Sequence, residues 1–387
     1  MDTQIKEAYA KAATETITLC STNAYMGMDL SWIPDEVLRT NQGCASPLAD
    51  AKNDVDRGSV VVDLGCGAGL DVFLASKQVG PGGHVYGVDM TPEMLDIARK
   101  HQEQVAKTLG YSKSNVTFHH GTMEEIPIDS DVADTVISNC VVNLSHDKSK
   151  VFSEILRILR PGGKFVISDV LTMGELPLYI QHDQNLVNLC LGGAMSISSF
   201  LKVLHECGFQ GKTLLSQKSY SQVDGYDFLS LTVTAFKPVA VEETEQKYAT
   251  LIGPCSAVVD ELGNRYDRGV ATEVTPETAQ MLQLPRYRSY FFVTPEPREM
   301  AGAAQLGIPP EPGPCVYGGD FVSLVGPFTE VHDDDNHVFK AGEESEICGK
   351  TLKVLSSPLY KQLFVMINRS RGDLQANQVE CGPTGCC

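Results

Sequence analysis

Short apolar runs alternate with longer stretches of mixed polarity over the first 238 residues of the chain. Thr91 and Pro92 mark the start of a helix, because threonine caps a helix well and proline suits its first turn. Strand and helix in alternation predict an α/β fold, a parallel sheet with helices on both faces. The strands predicted from the apolar runs are residues 59–64, 84–88, 116–119, 135–138 and 164–168.

Residues 226–236 differ from these runs, because apolar side chains alternate there with hydroxyl side chains. A period of two is typical of a strand with one face in the core and one in water. We therefore interpret this segment as an edge strand that closes the sheet near Pro238.

Beyond Pro238 the sequence repeats itself at an offset of 73 residues, the separation of Gly253 and Gly326. The repeat predicts one α+β domain over residues 239–375, in two halves at about 247–300 and 320–372, each with strands and a short helix. Two copies are too few for a solenoid, which generally needs about three or more. The matched pairs include Gly253-Pro254 with Gly326-Pro327, Val258 with Val331, Asp260 with Asp333, Tyr287 with Tyr360, and Phe291 with Phe364.

The two ends of the chain complete the predicted organisation. Residues 1–55 are expected to form an N-terminal helical cap, followed by a cofactor-binding domain over residues 56–238. Residues 376–387 have the composition of turns and hold three thiols, which predicts a flexible tail. Those thiols belong to Cys381, Cys386 and Cys387.

Composition narrows the class of protein. Of the 387 residues 42% are apolar and 21% are charged, which is ordinary for a globular protein. No run approaches the roughly 18 apolar residues of a membrane span, and the first residues lack a secretory pattern, so we expect a cytoplasmic protein. A formal net charge of −18 argues against nucleic acid and anionic membranes as partners. We expect a monomer.

The chain carries twelve cysteines, many for a cytoplasmic protein. No two of them have the spacing of a zinc site, so we expect no structural metal. In a reducing compartment the thiols are free for soft-metal or redox chemistry, although about half should be small buried hydrophobes. We assign packing roles to Cys66, Cys207, Cys255, Cys315 and Cys348.

A glycine-rich loop follows the first predicted strand. Asp63 opens the pattern Asp63-x-Gly65-x-Gly67-x-Gly69, in which glycines let the backbone approach a ligand closely. Asp89 ends the next strand, 20 residues after Gly69, where a carboxylate can bind ribose hydroxyls. These features predict a nucleotide-containing cofactor and do not separate NAD from S-adenosylmethionine (SAM).

Two further segments resemble the class I SAM methyltransferases: Arg160-Pro161-Gly162-Gly163 before a strand, and Gly121-Thr122-Met123-Glu124 after an earlier one. The resemblance implies a Rossmann-like, mostly parallel seven-stranded sheet with an antiparallel edge strand, and SAM as cofactor. It also implies that the loop of Asp63, Gly65, Gly67 and Gly69 holds the methionine part of SAM and Asp89 the ribose. Met90 would flank the adenine, Thr122 and Met123 its polar edge, and Asn139 the transferring methyl.

Cysteines stand where the methyl would be transferred. Cys140 follows the fourth strand, at the carboxyl end where open α/β sheets bind ligands. Cys190 lies in a segment after the fifth strand, about 170–200, that could fold over that end, and Cys44 lies in a Gly/Ser/Pro loop. No histidine has an obvious partner that would make it a general base.

Residues 136–144, 168–170 and 190–194 resemble the arsenite methyltransferases. Gly43-Cys44-Ala45-Ser46-Pro47 departs from that family's usual Gly-Cys-Gly-Asn-Pro but keeps the cysteine. Trivalent arsenic prefers soft thiolate ligands, and its lone pair can attack a sulfonium methyl without loss of a proton. The resemblance therefore implies detoxifying methylation of arsenite or its glutathione conjugate.

The same resemblance implies a role for each cysteine. Cys140 and Cys190 would bind arsenic in every round, and Cys44 would be the third ligand for arsenite. Cys20 would pair with Cys44 in a disulfide cycle that uses thioredoxin or glutathione as reductant.

Two other functions stay open at this point. A quinone or sterol C-methyltransferase shares the glycine loop but does not need Cys44, Cys140 and Cys190 together. A non-catalytic metalloid-binding protein keeps the thiols but does not need an intact cofactor loop. The acidic segment from His332 to His337 invites a metal site, but we interpret it as a solvated loop.

Overall fold

The structure is a computed structural model that describes residues 10–11, 25, 27–41, 43, 45–50, 55–240, 247–284, 286–297, 315–358, 360–368 and 378–379. Cys20, Cys44 and the three cysteines of the predicted tail lie outside these residues. The chain divides into two compact units. The first comprises residues 1–196, 206–209 and 215–237, and the second comprises 197–205, 210–214 and 238–387.

The elements up to Phe236 alternate as the apolar pattern predicts. The helices are α1 (Asp35–Arg39), α2 (Pro47–Asp50), α3 (Leu70–Val79), α4 (Pro92–Thr108), α5 (Lys148–Ile158), α6 (Leu178–Gln181), α7 (Gln184–Asn188) and α8 (Ile197–Glu206), with a 3₁₀ turn at Val142–Leu144. The strands are β1 (Val60–Leu64), β2 (His84–Asp89), β3 (Val116–His120), β4 (Ala133–Asn139), β5 (Leu159–Thr172), β6 (Met195–Ser196), β7 (Gln210–Val223) and β8 (Tyr226–Phe236).

The main sheet has the order β3-β2-β1-β4-β5-β8-β7, with the short β6 paired to β5. The first five strands of this order are parallel, and β8 runs antiparallel to β5. The expected mostly parallel, Rossmann-like sheet is therefore confirmed. Since β1 and β4 are neighbours while β2 and β5 lie on opposite sides of them, the carboxyl ends of β1 and β4 border the crevice where such sheets bind ligands.

The position expected for residues 226–236 is wrong. β8 lies between β5 and β7, and β7 forms the edge, a strand that the sequence pattern did not reveal. The hydroxyl side chains of β8 are buried, and those of Thr232 and Thr234 find partners inside the protein. The Thr232 hydroxyl lies 2.8 Å from that of Ser168, and Thr234 donates to the carbonyl oxygen of Phe165 over 2.7 Å. The sequence pattern is the same whether the hydroxyl groups of a strand form hydrogen bonds with neighbouring residues or with water.

Helices α3 and α4 pack on the sheet over a core of aliphatic and aromatic side chains. Phe73 of α3 and Phe118 of β3 meet edge to face with ring centroids 6.0 Å apart. Leu95 and Ala98 of α4 are fully buried in the same cluster. This packing fixes both helix N-termini at the carboxyl edge of the sheet. Among the described residues, no helix is long and apolar enough to span a bilayer.

The second unit contains the repeat. Its first copy holds β9 (Lys247–Leu251), β10 (Ala257–Val259), β11 (Arg265–Asp267), β12 (Ala271–Val274), α9 (Pro276–Leu282) and β13 (Phe291–Thr294). Its second copy holds β14 (Cys315–Leu324), β15 (Glu330–His332), β16 (Val338–Lys340), β17 (Glu344–Cys348), α10 (Gly349–Leu355) and β18 (Phe364–Asn368), and β19 (Gln378–Val379) pairs with β14.

The two copies face each other about a local two-fold axis. β10 and β15 pair antiparallel with Val258 opposite Val331, two residues that the 73-residue offset makes equivalent. Tyr287 donates its hydroxyl to the carbonyl oxygen of Pro327 over 3.0 Å, and Tyr360 donates to that of Pro254 over 2.9 Å. The repeat therefore builds one core whose halves exchange equivalent hydrogen bonds.

Candidate active site

The glycine loop joins β1 to α3 at the carboxyl edge of the sheet. The amide of Gly65 donates to the carbonyl oxygen of Val88 over 2.8 Å, which ties the loop to β2. Gly67 has φ +51°, and a β-carbon there would meet nothing within 4 Å, so this stretch of backbone faces open space. The loop thus leaves room for a ligand against its main chain, which is the arrangement that a nucleotide-containing cofactor requires.

Asp89 holds this loop from the end of β2. Its two carboxylate oxygens accept the amides of Gly67 and Thr91, each over 2.8 Å. Burial raises the pKa of Asp89, and the bonds from these amides partly offset the rise. Each carboxylate oxygen keeps a second lone pair, which can accept a ribose hydroxyl.

A cavity that is open to solvent lies in front of the loop. Eight of the nine predicted cofactor-binding residues line it: Asp63, Gly65, Gly67, Asp89, Met90, Thr122, Met123 and Asn139. The ninth, Gly69, does not line the cavity but has φ +91° as the N-cap of α3. Val37, Thr40 and Asn41 from the N-terminal segment also line the cavity.

Three carboxylates gather at this cavity: Asp63, Asp71 and Asp89. Burial, followed by repulsion from Asp71 and then Asp89, raises the pKa of Asp63 well above its usual value. Burial raises the pKa of Asp71 to about 6, against hydrogen bonds from Tyr25 and Asn139 that lower it. Such a cluster favours a cationic ligand. SAM carries both an ammonium and a sulfonium, so the residues present fit it.

Asp71 and Tyr25 were not recognised in the sequence. The Tyr25 hydroxyl donates to Oδ2 of Asp71 over 2.7 Å, and both side chains are buried. Asn139 also donates from Nδ2 to that oxygen, over 3.2 Å. An acid in the first turn of a helix usually serves the helix dipole, so Asp71 gave no separate signal.

The predicted arsenic ligands Cys140 and Cys190 come together beside the cavity. Cys140 follows β4 and lines the cavity, and the Cys190 thiol donates to the carbonyl oxygen of Cys140 over 3.0 Å. Both residues are almost fully buried, with 3% and 1% exposure, in one apolar cluster with Leu144, Val170 and Phe228. Both have left-handed backbones, with φ 57° for Cys140 and 61° for Cys190. Such a conformation is uncommon for residues other than glycine, and strained residues of this kind cluster at functional sites.

Two residues that the sequence interpretation did not assign hold this arrangement. Asn143 donates from Nδ2 to the carbonyl oxygens of Val170 and Cys190, over 2.7 and 3.2 Å. Asp169 accepts the amides of Asn143 and Val170, over 3.1 and 2.8 Å. Burial raises the pKa of Asp169 to about 7, against these backbone hydrogen bonds. A buried aspartate inside an apolar strand was the signal that could have revealed it.

The cysteines differ in state. Cys140 is disulfide-bonded in this structure, whereas Cys66, Cys207, Cys255 and Cys348 are free and Cys190 forms no disulfide. Cys44 and Cys20 lie outside the described residues, so the three-thiolate set and the Cys20–Cys44 disulfide stay predictions. Cys66, Cys255 and Cys348 are buried, and burial raises the pKa of Cys66 and of Cys255. Gly43 and Ala45, on either side of Cys44, are buried beside Asn139.

The acidic segment of the second unit is not the solvated loop that we expected. Asp333 is 4% exposed and accepts the amides of Asp335 and His337 on Oδ1, and Nδ1 of His337 lies 2.8 Å from its Oδ2. The equivalent Asp260 closes its own turn in the same way, with Asn264 in the place of His337. Because asparagine and histidine are interchangeable here, the contact is a turn closure shared by both copies.

Known proteins resemble both parts of the chain. Residues 55–219 match the family described as a methyltransferase domain, and residues 241–307 and 311–386 match a domain of unknown function. An arsenite methyltransferase of Halobacterium salinarum is 39% identical over 205 residues, 51% of this chain and 50% of that protein, so the chain spans half the length of this relative.

Two relatives are covered more fully. An arsenite methyltransferase of Aquipseudomonas alcaligenes is 32% identical over 280 residues, 68% of this chain and 79% of that protein. A solved arsenic(III) S-adenosylmethionine methyltransferase from Chlamydomonas reinhardtii is 32% identical, with a TM-score of 0.54 over 68% of this chain and 93% of that one.

The fold, the glycine loop and the acid at the end of β2 define a SAM-dependent methyltransferase. Within this class, the chain shares 32% sequence identity with two arsenic methyltransferases over most of their length, and this identifies its family. The chain belongs to the arsenite methyltransferase family.

Proposed function

We propose that the protein transfers the methyl group of SAM to trivalent arsenic bound by Cys140, Cys190 and Cys44. One observation supports the proposal more strongly than the others. The Cys190 thiol lies 3.0 Å from the carbonyl oxygen of Cys140, beside the cavity that the cofactor residues line. Two cysteines from distant parts of the chain thus lie beside the cavity in which we propose that SAM binds.

The cysteines supply the arsenic site. Arsenite, As(OH)₃, reacts with three thiols to give a tris-thiolate and three waters, which leaves a lone pair on a pyramidal arsenic. Bound SAM supplies an electrophilic methyl group on its sulfonium. The arsenic lone pair carries no proton, so no general base is needed, and no histidine lines the cavity among the described residues. Catalysis then depends mainly on holding the arsenic in line with the methyl.

The hydrogen bonds around Cys140 and Cys190 support this role. The amide of Cys140 donates to the carbonyl oxygen of Ser168 over 2.8 Å, and Asn143 binds the carbonyl oxygen of Cys190. These contacts hold two left-handed residues, each of which costs about 1–3 kcal/mol of strain. Rigid placement of ligands before the substrate arrives reduces the entropy lost on binding.

The disulfide at Cys140 supports the inclusion of a thiol reductant in the proposal. A cysteine in a disulfide cannot bind arsenic, so reduction by two electrons must come first. Methyl transfer raises arsenic from the trivalent to the pentavalent state, and oxidation of two cysteine thiols to a disulfide, with loss of two protons, returns two electrons to it. We propose Cys20 with Cys44 for that disulfide and glutathione or thioredoxin as the thiol that reopens it.

Arsenic speciation tests the proposal. Purified protein is incubated with arsenite, SAM and glutathione, and the products are separated by chromatography with arsenic detection. Cys190→Ser should yield no methylated arsenic. The matched control is Cys207→Ser, since Cys207 is a free, half-buried cysteine that does not line the cavity. Wild-type rates from the Cys190 variant would overturn the proposal.

A further inference from the structure

One carboxylate oxygen of Asp71 is buried without a hydrogen bond from the described part of the chain that would account for its position. The residue is 7% exposed, stands in the first turn of α3 and lines the cofactor cavity. Its Oδ2 accepts hydrogen bonds from Tyr25 and Asn139. Its Oδ1 is buried without a hydrogen-bond partner among the described residues. A buried carboxylate oxygen without a hydrogen bond destabilises the fold. We therefore expect a ligand in the cavity to donate a hydrogen bond to Oδ1.

The other carboxylate oxygen of Asp71, Oδ2, is connected to the proposed arsenic site through its hydrogen bond with Asn139. From its side chain, Nδ2 donates to the carbonyl oxygen of Ala45 over 2.6 Å, and Oδ1 accepts the amide of Ala45 over 3.2 Å. A β-carbon on Gly43 would lie 2.4 Å from that Nδ2, so the backbone of this segment lies directly against Asn139. Asn139 thus binds Ala45, lies against the backbone of Gly43 and directly precedes Cys140.

We propose that Asp71 is a positioning residue that couples cofactor binding to the arsenic-binding loop at residues 43–45. Its Oδ1 accepts the α-ammonium of the methionine part of SAM, while Oδ2 keeps Tyr25 and Asn139 in the arrangement that fixes Ala45. The inference rests on the proposed function, because it takes Cys44 to be an arsenic ligand.

The chemistry of the cavity selects a cation for the free oxygen. Asp63 and Asp89 line the same cavity, so a neutral donor would leave three neighbouring carboxylates uncompensated. The ammonium brings a positive charge together with several N–H donors. Its arrival satisfies Oδ1 and favours the ionised carboxylate to which Tyr25 and Asn139 donate. Cofactor and arsenite should therefore bind cooperatively, each strengthening the other by the same factor.

The test uses S-adenosylhomocysteine, which keeps the α-ammonium but has no methyl group to transfer. Calorimetry on the reduced full-length chain gives the Kd of S-adenosylhomocysteine without arsenite, the Kd of arsenite without S-adenosylhomocysteine, and each Kd with the other ligand present. The wild type should show reciprocal tightening of the two ligands. Asp71→Asn should weaken S-adenosylhomocysteine by about tenfold or more and abolish the reciprocal tightening.

Tyr25→Phe separates the two halves of the proposal. This variant leaves Oδ1 of Asp71 in place and removes one donor to Oδ2, so the cooperativity should fall more than the affinity for S-adenosylhomocysteine alone. It also keeps the proposal testable if Asp71→Asn does not fold, which a circular dichroism melt would reveal. Asp129→Asn, an exposed aspartate outside the cavity, is the matched control and should behave as the wild type.

The outcomes are distinct. Unchanged S-adenosylhomocysteine affinity in folded Asp71→Asn would overturn the ammonium contact. A wild type that binds both ligands independently would overturn the coupling and leave the proposed function standing. A wild type that binds S-adenosylhomocysteine but not arsenite would overturn both the proposed function and the coupling that rests on it, while the affinity of Asp71→Asn would still decide the ammonium contact.

Discussion

The thiol of Cys190 donates a hydrogen bond to the carbonyl oxygen of Cys140 over 3.0 Å. These residues lie 50 positions apart in the chain, and each has a backbone conformation that favours glycine. Glycine would adopt this backbone conformation with less strain, and strained residues of this kind cluster at functional sites. The contact therefore favours a role for the sulfur atoms themselves, and it leads to the first prediction.

Substitutions of the three cysteines should differ in which arsenic substrate they prevent the protein from methylating. Cys140→Ser and Cys190→Ser should each abolish methylation of both arsenite and monomethylarsenite, because both substrates need these two thiolates. Cys44→Ser should block arsenite and spare monomethylarsenite, which has only two positions left for thiolates. Initial rates for the two substrates, with SAM and thiol in excess, measure the difference. Normal methylation of arsenite by Cys44→Ser would contradict the three-thiolate site.

Asp89 should contribute to SAM affinity directly. Removal of its carboxylate in Asp89→Ala eliminates charge-assisted hydrogen bonds worth about 1.5–3 kcal/mol each, so SAM should bind at least about tenfold more weakly. It also frees the amides of Gly67 and Thr91, which should lower the melting temperature slightly. Calorimetry of SAM binding tests the first effect. Glu93→Ala, an exposed acid in the first turn of α4, is the control, and equal affinities for the two variants would refute the assignment.

SAM binding should depend on pH through the cavity acids. The pKa of Asp71 is raised by burial to about 6, and that of Asp63 is raised well above its usual range, so the free protein holds protons that a cationic ligand displaces. Binding therefore releases protons, and affinity should rise as pH increases from about 5 to 7, below the α-ammonium pKa of about 7.7–8.0.

Calorimetry in two buffers of different ionisation enthalpy would measure the released protons. Asp71→Asn should reduce the slope of affinity against pH, because it removes the group whose pKa is about 6. A wild-type affinity that stays constant over this range would contradict the prediction.

The sequence predicted the features whose causes are local. The loop of Gly65 and Gly67 and the acid Asp89 were found because each residue type meets a need set by its immediate neighbours. The mostly parallel sheet followed from the alternation of apolar runs. The repeat followed because equivalent core positions, such as Val258 and Val331, need equivalent side chains.

The features that depend on long-range contacts were missed. Tyr25 and Asp71 meet across 46 residues, and neither carries a motif. The side chains of Asn143 and Asp169 bind main-chain atoms, and any sequence can supply such partners. The position of β8 was wrong because the hydroxyl of Thr232 is satisfied by Ser168 inside the sheet, and periodicity does not show where a partner lies.

A pair of glycine substitutions should isolate the placement of Cys190 from cofactor binding. A β-carbon on Gly193 would lie 2.0 Å from the carbonyl oxygen of Asn143, so Gly193→Ala must move the Cys190 segment away from the 3₁₀ turn. Gly174, in the segment that follows β5, is the matched control, since a β-carbon there meets nothing within 4 Å.

Gly193→Ala should lose at least about tenfold in methylation rate, because a displacement of about 1 Å in a positioned ligand can cost about a hundredfold. Its affinity for SAM should stay at the wild-type value, because Gly193 does not line the cofactor cavity. Gly174→Ala should match the wild type in both measurements. Methylation rates by arsenic speciation and SAM affinity by calorimetry, on the same preparations, decide the matter. Equal loss of rate in the two variants would show that chain flexibility, and not the position of Cys190, limits the reaction.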